Sequence, residues 1–168
     1  MPEMELSVQS NDNTYVDIML QSLNKKLLIL DAIEKQNKKQ KEILEDKMSS
    51  PDDFDKTVDE KSKLITQLDQ LDSGFDKLYE RVQNELQTNR DAYQSQILEM
   101  QSLIRQITDR SVDLQKQEAR NKDLMTARFA TIKKQAKSVR KNTKITSEYY
   151  KTMMRTGYVD PQFMDNKK

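Results

Sequence analysis

From Val16 to Leu114 the chain repeats one pattern, a seam position every three or four residues that is apolar at most places. A first stripe runs Val16, Leu20, Leu23, Leu27, Leu30, Ile33, Asn37, Gln40, Leu44 and Met48. A second runs Phe54, Val58, Lys61, Ile65, Leu68, Leu71, Phe75, Leu78, Val82 and Leu86, then Tyr93, Ile97, Met100, Ile104, Ile107, Ser111 and Leu114. Steps of three and four set residues on one side of a helix and form the seam of a coiled coil. With 2 Gly and 3 Pro in 168 residues, a β-rich fold would lack its turn residues. The pattern therefore predicts an all-α chain, an elongated antiparallel helical hairpin or coiled-coil bundle of three or four long helices.

Composition agrees with a thin core. The chain is 35% hydrophobic and 34% charged, against roughly 45–50% and about 25% in ordinary globular domains. A narrow apolar stripe needs few hydrophobes and leaves most positions wet. The first stripe turns polar from Glu34 to Glu42, where Asn37 and Gln40 occupy seam positions. Polar seam residues fix register at a cost in stability, and that is the role expected of these two, with a seam loosened for a partner as the second reading.

The boundaries follow from local chemistry. Residues 1–13 are polar and non-periodic, so they are expected to be a disordered lead-in, with Thr14 capping the first helix. Ser49-Ser50-Pro51-Asp52-Asp53 places Ser50 at an N-cap, Pro51 at the first helical position and two acids in the first turn. Proline there gives up an N–H that has no helical partner, and the acids complement the helix dipole. The first two helices should therefore form an antiparallel hairpin. No proline interrupts residues 52–160, a span of about 160 Å as one straight helix. A further reversal is expected, at Asp72-Ser73-Gly74 or, better matched to the length of the first helix, at Gln87-Thr88-Asn89-Arg90-Asp91. Thr88 or Asn89 would then cap the third helix.

The character changes after Thr126. Between Ala127 and Gly157 there are nine basic residues and one acid, Glu148, a local charge of +8, while residues 1–126 carry −7. Phe129, Ile132, Ala136, Val139, Tyr149, Tyr150, Met153 and Met154 recur near helical spacing, and Gly157 suits a stop. The expected organisation is a bundle over residues 14–126, a basic amphipathic helix over 127–157 and a tail over 158–168. The basic helix has three readings: a further bundle helix with a solvated face, a phosphate-neutralising element, or a partner-binding helix with Tyr and Met as contacts. An anionic membrane surface is a weaker fourth, for want of Trp.

Catalytic chemistry has little to work with. No Cys or His is present, which removes thiolates, the common general base and the usual zinc ligands. With Gly74 and Gly157 alone, no glycine-rich loop can cradle a phosphate. The pairs Asp52/Asp53, Asp59/Glu60 and Asp109/Asp113 sit near Lys or Arg and read as solvated acids. Phe54, Phe75 and Tyr93 fall on the seam and read as packing residues. A non-enzyme without metal or cofactor is expected. The acidic start Met-Pro-Glu-Met-Glu-Leu is unlike a secretory signal. The longest clean apolar run, Leu27-Leu28-Ile29-Leu30, is far short of the ~20 residues a spanning helix needs. A cytoplasmic location without stable membrane insertion is therefore expected.

Two stretches carry a family resemblance. The leucine-paired first helix is followed by Lys61-Ser62-Lys63-Leu64-Ile65-Thr66-Gln67-Leu68-Asp69-Gln70-Leu71, and later by Asn121-Lys122-Asp123-Leu124. These resemble the Lys-x-x-Leu-Ile-x-x-Leu-x-x-Leu and Asn-x-x-Leu patterns of the FlgN family of flagellar type III export chaperones. The closing Ser147-Glu148-Tyr149-Tyr150-Lys151 and Tyr158-Val159-Asp160-Pro161 resemble the tails of its Gram-positive members. The resemblance spans about residues 15–165. It implies a cytoplasmic chaperone that shields terminal helical segments of hook–filament junction (hook-associated) proteins before export. Export-gate components would be further partners, nucleic acid would not be one, and self-association is left open. In the family the carboxy-terminal helix binds substrate, which maps onto Phe129, Ile132, Ala136, Val139, Tyr149, Tyr150, Met153 and Met154. Asp72-Ser73-Gly74 stands where family members often carry an Arg, and the basic segment is heavier than usual. Related FliT chaperones are a second comparison, and a structural coiled-coil spacer is the alternative from another class.

Overall fold

Local sequence sets each element of the chain. The structure, a computed structural model, describes residues 2–129, with side chains from Asn13 onward. Helix α1 spans Pro2–Glu45, α2 Pro51–Thr88 and α3 Gln94–Arg128, with a short 3-10 helix, Arg90–Tyr93, before α3. No strand occurs among the described residues. At 44, 38 and 35 residues, the helices measure about 66, 57 and 52 Å.

Helix α1 begins at Pro2 rather than at Thr14, so the lead-in expected over residues 1–13 is helical from its second residue. No Gly or Pro lies between Pro2 and Thr14, and once a helix has nucleated each further residue costs little. The Ser50 signal operates as expected. Ser50 Oγ accepts from the Asp53 N–H at 3.4 Å, and the Asp53 carboxylate accepts from the Ser50 N–H at 3.1 Å, a reciprocal capping box. The 46–50 loop is also clamped from α3. The Arg128 guanidinium donates to the Asp46, Lys47 and Ser49 carbonyls at 2.9, 2.7 and 3.3 Å. These carbonyls lie just past the end of α1, where no helical N–H reaches them, and a cation from another helix supplies the donor. Because α1 stops at Glu45, Met48 leaves the seam and is 92% exposed.

The second reversal falls within Gln87–Asp91, but its caps differ from expectation. Thr88 and Asn89 both turn back onto α2, where Thr88 Oγ1 donates to the Asn84 carbonyl and Asn89 Nδ2 to Glu85 Oε1. Tyr93 stands at the start of α3, and its ring is buried there. Gly74 continues α2 without a break.

Inter-helix bonds give the directions. Those joining α1 to α3 keep a sequence separation near 80 along the whole length, from Asn13–Gln96 at 83 to Asn37–Gln117 at 80. The two helices are therefore parallel. Links from α1 to α2 shrink toward the loop, from 46 at Lys26–Asp72 to 21 at Gln40–Lys61, so that pair is antiparallel. The result is an up-down-up bundle with α1 packed against both neighbours, while the backbones of α2 and α3 hardly approach within 8 Å. Val16, Leu23, Leu30, Ile33, Leu68, Phe75, Val82, Met100, Ile107 and Leu114 are among the residues of its long core. A second cluster, Leu44, Phe54, Val58, Met125 and Phe129, closes the loop end. A fully buried side chain of this kind contributes roughly 1.5–3 kcal/mol.

Candidate functional site

The polar patch of the first stripe becomes a buried node joining all three helices. Asn37 and Gln40 are 0% and 1% exposed on α1, Lys61 is 5% exposed on α2, and Glu118 and Asn121 are 1% and 2% exposed on α3. Gln40 Oε1 accepts from Lys61 Nζ at 3.2 Å and from Asn121 Nδ2 at 3.1 Å. Asn121 also donates to the Asn37 carbonyl, and Asn37 Nδ2 to Gln117. Lys61 forms an ion pair with Glu118. Burial pushes the Lys61 ammonium below its ordinary value, and the adjacent Glu118 carboxylate opposes the shift. A helix slipping past another would break these bonds and leave charges buried, so the node sets register.

A second ionic contact lies farther from the loop. Lys26 is fully buried, and its ammonium meets the Asp72 carboxylate at 2.6 Å. Burial lowers its pKa to about 8 against the attraction of Asp72, Asp76 and Asp69. The carboxyls of Asp69 and Asp76 are raised, first by burial and then by the neighbouring acids, with Lys26 working the other way. The stripe read from the sequence passes from Leu23 to Leu27 and leaves Lys26 out, although Lys26 stands three residues after Leu23 and four before Leu30, a spacing that also fits the seam.

Between α1 and α2 the surface carries an open groove of about 430 Å³, lined by Lys25, Leu28, Ile29, Gln67, Gln70 and Leu71. Leu28 is 68% exposed at its edge. Among the described residues, no group of three or more acidic, His or Cys side chains is placed to hold a metal. No helix there is long and apolar enough to cross a membrane.

Of the residues expected to bind a partner, Phe129 alone is described. It is 5% exposed, with its ring edge-on to Phe54 at 6.1 Å between centroids. It thus completes the loop-end core, where Met125 and Leu44 also pack. Ile132, Ala136, Val139, Tyr149, Tyr150, Met153 and Met154 lie outside the described residues. Comparison with known protein families, curated proteins and solved structures finds no match for this chain.

Proposed function

We propose that this chain is a FlgN-like flagellar export chaperone that binds and shields terminal helical segments of hook–filament junction proteins before type III export. One observation supports the reading most. The two stretches that carry the resemblance converge on a single atom, because Lys61 of the first and Asn121 of the second both donate to Gln40 Oε1. Their polar residues thus serve one purpose, holding a long three-helix scaffold in register. Such a scaffold needs no cofactor. It presents at its loop end the start of the basic segment, with Phe129 anchored in the core. Amphipathic helices with flexible Met and flat Tyr contacts suit the capture of another helix.

The reading places the protein in the cytoplasm, without enzymatic activity. Co-expression of the full chain with hook-associated proteins, followed by pull-down, tests it. The hook-associated protein should be retained by the wild-type chain and lost when Tyr149, Tyr150, Met153 and Met154 are replaced by Ala. Absence of any retained hook-associated protein would overturn it.

A further inference from the structure

Both outer helices turn the same flank to α1. On α3, Arg110 and Gln117 each immediately precede a buried residue, Ser111 or Glu118, and both bond to α1: Arg110 to Asp31 and Glu34, Gln117 to Asn37. On α2, Gln67 precedes buried Leu68 and lines the groove with α1. Residues that follow a seam position point about 100° the other way round a helix, toward a corner opposite α1 that α2 and α3 border from either side. On α2 these are Asp55, Asp59, Ser62, Asp69 and Asp76, and on α3 they include Gln101, Val112 and Gln115.

Two features of that corner bear on its occupant. Lys61–Glu118 and Phe54–Phe129 join α2 to the end of α3 near the loop, but the two backbones otherwise hardly approach within 8 Å, and Phe75, Ser111 and Gln101 are nonetheless 2%, 0% and 9% exposed. The chain also leaves the bundle there. Phe129 packs against Phe54 at the loop end, so the next residues start beside the first turns of α2.

We propose that this corner is the docking surface for the chain's own residues 130–157, which run parallel to α2 as a fourth helix. Length fits, since residues 130–157 as a helix measure about 42 Å against about 57 Å for α2. Ile132, Ala136, Val139, Tyr150 and Met153 recur on one side of that segment and would face the corner. Charge fits as well. The segment from Ala127 to Gly157 carries +8 and the preceding residues −7, and α2 borders the corner with Asp55, Asp59, Asp69 and Asp76, the last two also neighbours of Lys26. The inference goes beyond the chaperone reading, because it says where the segment rests when no partner is bound.

The chain has no Cys, so Ser62→Cys together with Ser138→Cys places two spin labels at unique sites. Ser62 lies eight residues after Phe54 and Ser138 nine after Phe129, so the proposed parallel helix, starting from the Phe54–Phe129 contact, would set the two positions nearly level. Dipolar distance measurement on the full chain should give one narrow peak at roughly 10–25 Å, the label arms added to backbones 8–10 Å apart. A broad distribution centred beyond about 40 Å overturns the proposal. So does a short distance that disappears on dilution with unlabelled chain, which would show contact between molecules. A short distance with no hook-associated partner retained would strike the chaperone reading alone, and the converse would strike this inference alone.

Discussion

Two buried lysines define what single residues do in this bundle. Lys26 has a folded pKa of about 8 against 10.5 for the free side chain, so between those values the unfolded chain holds more protons than the folded one. Stability from this group therefore rises with pH across that window and is lowest below it. Relative to a Lys26→Met variant, the wild type should gain roughly 2–3 kcal/mol between pH 7 and pH 10, read from urea unfolding midpoints, at about 1.36 kcal/mol per unit. A constant difference across that range would show that the ammonium is not desolvated. At the node, Glu118→Gln alone leaves the Lys61 ammonium buried without its counter-charge, at an expected cost of about 3–5 kcal/mol. The double variant Lys61→Met, Glu118→Leu should recover most of that loss, because an apolar pair has no charge to desolvate. A double variant no more stable than the single would mean that the surrounding amides, and not the ion pair, hold the node.

The elements differ in how openly the sequence announces them. Ser50-Pro51-Asp52-Asp53 marks a helix start with side chains whose chemistry fits few other places, and α2 begins there. Ser50→Ala should cost about 1 kcal/mol in unfolding free energy. The reversal near Asn89 was legible through the matched length of α1 and α2, not through a cap, and the capping roles expected of Thr88 and Asn89 did not materialise. The start of α1 was illegible because polarity over residues 1–13 argues against a core, not against a helix. Lys61 and Ser111 were placed on the seam by spacing alone and are buried. Lys26 was not, since the stripe passes through its neighbour Leu27 instead and its partner Asp72 lies 46 residues away. Phe129 shows the same limit in reverse. Its spacing joins it equally to the basic segment and to the Met125 seam, and three-dimensional proximity to Phe54 decides for the core. Phe129→Ala should therefore destabilise the bundle by about 3–5 kcal/mol, measurable by thermal or urea unfolding, whereas a purely partner-facing residue would leave the unfolding midpoint unchanged.

At the scale of the molecule, a thin core is made specific by the polar residues set into it. Uninterrupted leucine would let long helices slide by a heptad with little penalty. The Gln40 node and the Lys26–Asp72 contact make such a slip bury unpaired charge, so one alignment is favoured. A scaffold locked this way can hold still while a terminal segment exchanges one set of contacts for another, which is the division of labour the chaperone proposal requires. Hydrogen exchange of the full chain, with and without a bound hook–filament junction protein, tests that division most directly. Protection should change over residues 130–157 and stay the same through α1, α2 and α3 around the Gln40 node. Changes centred on the α1–α2 groove at Leu28 and Leu71, with residues 130–157 unaffected, would contradict it.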